Sequence, residues 1–98
     1  MHNFYKIISF SIEAPYTLRI LFDDNTQQTI NFLPVLYGEV FRPLREISLF
    51  NQAYIDKEVH TIVWPNGADF DPSVLHDWEK NENELVERAK KWDVVETH

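Results

Sequence analysis

The sequence contains no cysteine, only two glycines and no long uninterrupted run of apolar residues. Without cysteine the chain forms no disulfide, no thiolate nucleophile and no cysteine-ligated zinc site. Two glycines are too few for a glycine-rich phosphate loop. No apolar run approaches the roughly 18 residues that a membrane-spanning helix needs, and the N-terminus lacks the pattern of a secretory signal. These absences predict a cytoplasmic protein that does not enter a membrane.

Positive charge is also scarce, and it is not clustered. The formal net charge is −7; residues 1–60 hold five Lys/Arg and seven Asp/Glu, whereas residues 61–98 hold four and nine. Binding to nucleic acid depends on clustered cations that displace counterions from phosphates, so we expect no direct contact with nucleic acid. An acidic surface keeps a small protein in solution, and it also attracts a basic partner.

The pattern of apolar residues predicts one small domain that begins with a sheet. The 98 residues are 44% hydrophobic and 14% aromatic, which is enough for a single core. Apolar and polar residues alternate through residues 4–12, 17–22 and 27–32, with Phe4, Ile8, Phe10 and Ile12 placed on one face. Alternation of this kind indicates three antiparallel strands. Residues 53–55 and 61–64 are predicted as two further short strands.

Helical spacing appears in the middle of the chain and again at its end. Residues 39–50 have helical apolar spacing that Pro43 interrupts, and Asp71-Pro72 is a strong helix start. Residues 79–92 predict an amphipathic helix. The predicted fold is therefore α+β: a small antiparallel sheet of about five short strands, short helices on one face and a C-terminal amphipathic helix. Residues 1–78 form the single domain, and residues 79–98 form its acidic helical extension.

The tract from Thr61 to Leu75, TIVWPNGADFDPSVL, resembles that of a small uncharacterised bacterial family, a domain of unknown function. Further matching pieces are Gly38–Phe41, Leu44-Arg45 and Leu49-Phe50, and the resemblance covers roughly residues 4–78. It implies no catalytic residues. It does imply a genetic context, because proteins of this kind are similar to small partners encoded beside another short protein in arrangements that resemble toxin–antitoxin pairs.

Asn66, Asp69 and Asp71 come nearest to a binding site in the sequence. An amide and two carboxylates within six residues are oxygen ligands of the kind that a hard cation prefers. Their spacing does not match a calcium loop. The structural alternative is that Pro65-Asn66-Gly67 makes a tight turn and that Asp71 caps a helix. We therefore predict no resident metal or cofactor, and we keep these three side chains as candidate binding residues.

Aromatic and arginine side chains supply the other candidates for a binding surface. Trp64 precedes the turn, where it either forms a ligand platform or packs in the core. Trp78 and Trp92 lie near and on the C-terminal helix, and they either dock onto a partner or pack against this chain's own sheet. Arg42 and Arg45 belong to a mixed-charge segment, which is either a contact surface for carboxylates and phosphates or a solvated face.

Three functional hypotheses follow from these residues. The first is a non-enzymatic protein-interaction module, the smaller partner of a two-protein system, which binds through the Trp64–Asp71 loop, an open sheet edge or the C-terminal helix. Self-association to a homodimer through the same surfaces is the related option. The second is a nucleic-acid-associated regulator that acts through a partner. The third is a small metal-dependent hydrolase, which requires Asn66, Asp69, Asp71 and His76 to converge in one pocket.

Overall fold

The computed structural model describes the backbone of residues 5–96 and the side chains of residues 5–91. Two predictions fall outside these ranges: the placement of Phe4 at the start of the first strand, and the role of the Trp92 side chain.

The N-terminal third of the chain is the predicted three-stranded antiparallel meander. Its strands are β1 (Ile7–Ala14), β2 (Thr17–Phe22) and β3 (Gln27–Asn31), in the order β1-β2-β3. Each connection contains one residue with positive φ, Tyr16 at 59° and Asn25 at 69°. The left-handed conformation closes short turns, and Asn adopts it more readily than other non-glycine residues.

The central strand supplies most of the sheet's buried side chains. Leu18, Ile20 and Phe22 are completely buried, and Ile30 on β3 lies opposite Leu18. On the other face of β2, Arg19 is exposed. Because side chains alternate along a strand, one face of the sheet belongs to the core and the other faces solvent.

A second, smaller sheet follows. Tyr54–Ile55 (β4) and Ile62–Val63 (β5) pair antiparallel, and Val63 also forms an isolated bridge with Asp69. The five predicted strands are thus present, but they are divided between two sheets. The prediction of an α+β fold is confirmed.

The segment between the sheets is a series of single turns. It comprises a 3-10 turn at Leu33–Val35, α1 at Gly38–Phe41, a 3-10 turn at Arg42–Arg45 and α2 at Ile47–Phe50. The apolar spacing predicted helical structure here, and Pro43 accounts for the interruption. Proline has no backbone N–H to donate and clashes with the preceding turn, so it is tolerated only where a helix starts.

The C-terminal part is helical. Pro72–His76 forms α3 and Trp78–Glu96 forms α4, with Asp77 between them. Ala89 of α4 is only 2% exposed, and Leu85 and Val86 pack against the core. The C-terminal helix is therefore docked on the domain at least as far as Ala89.

Among the α4 residues whose side chains are described, positive and negative charges are equal in number. From residue 79 to residue 91 the chain carries four glutamates and four basic residues. The acidic surplus of the C-terminal third lies partly before this helix, because residues 61–77 contain three aspartates and no Lys or Arg. Within the described residues, no helix has both the length and the apolar character needed to cross a membrane.

The core is built around the ring of Phe32, which follows β3. This ring is fully buried, and its centroid lies between 5.3 and 6.0 Å from those of four other aromatic side chains: Phe50, Trp64, Phe70 and Trp78. Tilted and edge-on pairs at these separations are favourable arrangements of aromatic rings. The cluster joins the sheet, α2, the 64–70 loop and α4 into one core.

Candidate functional site

The Pro65-Asn66-Gly67 segment forms the predicted tight turn. The Gly67 amide donates to the Trp64 carbonyl over 2.9 Å, and Gly67 has a φ of 90°, a conformation that other residues rarely adopt. Both the oxygen and the nitrogen of the Asn66 side-chain amide form hydrogen bonds. Its Oδ1 accepts from the Ala68 amide over 3.2 Å, and its Nδ2 donates to the Val40 carbonyl over 2.8 Å. Asn66 thus fastens the turn to α1.

Asp71 is the N-cap of α3. Its Oδ1 accepts hydrogen bonds from the Ser73 amide over 2.8 Å and from the Ser73 hydroxyl over 2.7 Å. These contacts satisfy a donor that the first turn of a helix otherwise leaves unpaired. The helix cap therefore uses Oδ1, one of the two carboxylate oxygens of Asp71.

Trp64 and Trp78 do not form surface platforms. Trp64 is 1% exposed, and its indole Nε1 donates to the Phe50 carbonyl over 2.9 Å. Trp78 is 4% exposed and packs against Phe32 and Phe70. Both side chains belong to the core, so of the two alternatives left open for each tryptophan the structure shows core packing and not a binding surface. Trp78 is buried because α4 packs against the Leu33–Val35 turn and α1.

The two arginines of the mixed-charge segment have local partners. The Nε of Arg45 donates to the Leu36 carbonyl over 2.8 Å, and its guanidinium lies 4.4 Å from the centre of the Tyr37 ring. The Tyr16 hydroxyl donates to the Arg45 carbonyl. Arg42 also makes an interaction. Arg45 thus braces the 36–45 segment against the sheet.

Asp69 and Asp71 both line a cleft of about 180 Å³. The cleft lies between the Leu33–Val35 turn, α1, the 69–71 segment, α3 and α4. Its remaining lining is entirely apolar: Val35, Phe41, Phe70, Val74, Leu85 and Ala89. We call this feature the acidic cleft. Sequence reasoning named the two carboxylates but not the apolar wall, because that wall is assembled from four separate parts of the chain.

The carboxylates of the acidic cleft are accessible. Asp69 and Asp71 are both exposed. Among the described residues, no hydrogen-bond or ion-pair partner engages the Asp69 carboxylate. The cleft therefore combines an apolar interior with negative charge at its rim, an arrangement suited to a group that is apolar at one end and cationic at the other.

His76 lies away from the acidic cleft, in a cluster with the β2–β3 turn. Its Nε2 is 2.8 Å from the Asp24 Oδ2, and its Nδ1 is 2.9 Å from the Asp77 Oδ1. The imidazole stacks on Tyr5 with 3.6 Å between ring centroids and meets Phe22 edge-on. The hydrolase hypothesis required His76 to converge with Asn66, Asp69 and Asp71 in one pocket, and His76 is not among the residues that line the acidic cleft.

The His76 cluster has shifted proton affinities. Burial lowers the pKa of His76, but the hydrogen bonds to Asp77 and Asp24 raise it by more, so the pKa lies above its ordinary value of 6.5. The pKa of Asp24 is lowered from 3.8 to about 2, chiefly by the hydrogen bond from the Thr26 hydroxyl, with His76 adding to the effect. The cluster therefore favours a protonated imidazole between two carboxylates.

Strand β1 carries apolar side chains that were predicted to share one face, and some of them are exposed. Ile8 is 57% exposed and Ile12 is 45% exposed, whereas Ile7 is buried and Phe10 is partly buried. Phe10 and Ile12 do share a face, since they lie opposite Ile20 and Leu18, but the assignment of Ile8 to that face is wrong. A register shift between Ile7 and Ser9 places Ile8 outside the regular ladder, and the core does not cover Ile12 at the sheet edge.

A protein-family model described as "Protein of unknown function (DUF2442)" matches residues 7–81. No curated protein and no solved structure matches the chain. The matched range begins with β1 and contains Asp69, Asp71 and His76. Leu85 and Ala89, which complete the wall of the acidic cleft, lie beyond it.

Proposed function

Since this chain belongs to the DUF2442 family of proteins of unknown function, we propose a function from its geometry: it is a protein-interaction module whose acidic cleft receives a basic, amphipathic segment of another protein. In this proposal the chain is the smaller partner of a bacterial two-protein, toxin–antitoxin-like pair.

The observation that carries the proposal is the pairing of an apolar cleft with two carboxylates at its mouth. Moving an apolar side chain out of water into the space beside Phe41 and Phe70 lowers the free energy of the complex. A Lys or Arg next to it on the partner reaches Asp69 and Asp71, which fixes the orientation of the partner segment. An amphipathic helix or loop offers both groups at adjacent positions.

The charge distribution supports a basic partner. The net charge of the chain is −7, and residues 61–77 contribute three aspartates without a compensating Lys or Arg. A field of one sign accelerates encounter with a partner of the opposite sign, and added salt weakens this effect. Association is therefore expected to be faster at low ionic strength.

Three of the four side chains that the hydrolase hypothesis needs form structural contacts. Asp71 caps α3 and Asn66 fastens the turn to α1. His76 is held by Asp24 and Asp77. General acid–base chemistry needs such groups within hydrogen-bond reach of one reacting atom, and each of these three is held by a different partner. A binding role therefore fits the site better than hydrolysis does.

Affinity capture of the tagged chain from its native cells tests the proposal, with two charge-reversal variants beside the wild type. Asp69→Lys reverses the charge at the mouth of the cleft. Glu58→Lys makes the same change in net charge at an exposed position of the 56–60 loop, outside the cleft lining. We expect one stoichiometric partner with wild type and Glu58→Lys, and an affinity weakened by about tenfold or more for Asp69→Lys.

Two results would overturn the proposal: the absence of any stoichiometric partner with the wild type, or equal affinities for the two variants. The second hypothesis from the sequence, a nucleic-acid-associated regulator that acts through a partner, begins with the same binding step. It stays a prediction, and the identity of the captured protein decides it.

A further inference from the structure

Strand β1 is an open edge over most of its length. It pairs with β2 on one side. On its other side, the Ile7 amide donates to the His60 carbonyl over 2.9 Å, and among the described residues no further backbone hydrogen bond reaches that side of the strand. An edge strand with free N–H and C=O groups is a template for another strand, and proteins usually protect such an edge with charge, proline or a covering element.

The residues of this edge read the same in both directions. Residues 8–12 are Ile-Ser-Phe-Ser-Ile, with Phe10 at the centre. In an antiparallel pair related by a two-fold axis through Phe10, Phe10 lies opposite Phe10 and Ser9 lies opposite Ser11. Ile8, which sits at the register shift that ends the regular ladder of β1, comes to the position opposite Ile12. The pattern is therefore self-complementary in this one register.

We propose that two copies of the chain pair through β1, antiparallel about Phe10, and so form a continuous six-stranded sheet. This interface shares no residue with the lining of the acidic cleft, so it is independent of the proposed function. Each copy would present its own cleft.

Each face of the joined sheet has the same character in both copies, apolar on the core face and polar on the opposite face. Phe10 lies opposite Ile20 and Ile12 opposite Leu18, which places both on the core face of β1. Pairing brings the two Phe10 side chains together, places each Ile12 opposite Ile8 of the other copy, and removes exposed apolar surface from water. On the opposite face Ser9 and Ser11 stay exposed, and small polar residues suit a solvated surface.

The charges at the edge permit this approach despite the acidity of the whole chain. Residues 7–12 carry no charge, and the nearest charged residues are Lys6 at one end and Glu13 at the other. In the antiparallel register, Lys6 of one copy comes to the end of the strand that carries Glu13 in the second copy. Opposite charges therefore meet at both ends of the interface, which favours this orientation over a parallel one.

The mass in solution of the full chain, measured by light scattering and sedimentation equilibrium, tests the pairing. We expect twice the chain mass of 11.7 kDa for the wild type. Ile12→Lys places a charge on the edge and is expected to give the monomer mass. Val40→Lys is the control, because Val40 lies on α1 and is 48% exposed, close to the 45% of Ile12. A wild type that stays monomeric at all concentrations overturns the proposal, as does a dimer that Ile12→Lys leaves intact.

The register is tested separately by disulfide trapping, which has no background because the chain lacks cysteine. Residues directly opposite in antiparallel strands have Cβ atoms about 4.5–5.5 Å apart, close enough to cross-link, whereas diagonal neighbours are about 7–8 Å apart. An equimolar mixture of Ser9→Cys and Ser11→Cys is expected to form heterodimeric cross-links several-fold faster than either variant alone. Faster cross-linking of Ser11→Cys with itself would overturn the register about Phe10, and trapping would report on the interface even if Ile12→Lys failed to fold.

Discussion

The imidazole of His76 and the carboxylate of Asp24 meet across 52 residues of sequence, with 2.8 Å between Nε2 and Oδ2. Asp24 belongs to the β2–β3 turn, and His76 ends α3, directly before Asp77. The Gln28 side chain strengthens this junction by donating to the His76 carbonyl over 2.7 Å. The cluster thus joins the sheet to the point where α3 gives way to α4, and it does so with groups that titrate.

The stability of the fold is predicted to depend on pH through this cluster. The pKa of His76 is raised, so its contribution is fully present below 6.5 and is lost as the pH rises through the higher folded-state pKa. The pKa of Asp24 is lowered to about 2, so its contribution is present above 3.8 and is lost as the pH falls toward 2. Between pH 3.8 and pH 6.5 both groups therefore contribute their full stabilisation. Thermal unfolding from acid to alkaline pH is expected to show the highest Tm in that interval.

His76→Gln distinguishes the contribution of this cluster to the pH dependence of stability from the contributions of the other titrating groups. This variant keeps a planar polar side chain but cannot be protonated, so the decline in Tm above pH 6.5 should shrink relative to the wild type. An NMR titration of the wild-type imidazole gives the pKa directly. A His76 pKa at or below 6.5, or an equal decline in both proteins, would contradict the role assigned to this pair.

Trp64→Phe is predicted to destabilise the protein by about 2–4 kcal/mol, because it opens a cavity and leaves the buried Phe50 carbonyl without its indole donor. Chemical denaturation measures the change. Trp78→Phe is the matched control: Trp78 is also buried, but no described residue accepts a hydrogen bond from its indole, so the loss should be smaller. Equal losses would mean that the hydrogen bond contributes little.

Asp71→Ala is predicted to cost about 1 kcal/mol through loss of the N-cap of α3, and Asp71→Ser should recover most of it because a serine hydroxyl caps as well. The free energy of unfolding of the three proteins checks this order. If the carboxylate itself were required, as for a metal ligand, the serine variant would be no better than the alanine variant.

Truncation after Trp78 is predicted to abolish cooperative unfolding. It removes Ala89, Leu85 and Val86, which cover the core, and exposes the apolar surface beneath them. The loss of near-ultraviolet circular dichroism, with dye binding to exposed apolar surface, reports the change. A truncated chain with an unchanged transition midpoint would show that α4 is dispensable for the fold.

Local patterns predicted the local structure well. Alternation gave the strands of the meander, and Asp71-Pro72 marked the start of α3. The turn at Asn66 and Gly67 followed from the preference of these residues for such conformations. Each of these features depends on residues within a few positions of one another, which is why the sequence alone sufficed.

The errors concern which surfaces are covered. Periodicity identifies the apolar side of β1, but the elements that cover a sheet come from distant segments, and here they leave Ile12 at the edge. The sequence left open whether Trp78 docks onto a partner or packs on its own domain, and the structure places it against Phe32 in the core. The His76–Asp24 contact has no local sequence signal at all. Exposure is a property of the assembled fold, and periodicity does not report it.

The proposed binding of the partner in the acidic cleft is tested most directly by mapping the captured partner onto the isotope-labelled chain with ¹H–¹⁵N NMR. Shift changes and line broadening are expected to concentrate on amides of residues 69–74 and 85–89, and added salt is expected to slow association. Changes confined to other surfaces, with the amides around Asp69 unmoved at saturation, would contradict it.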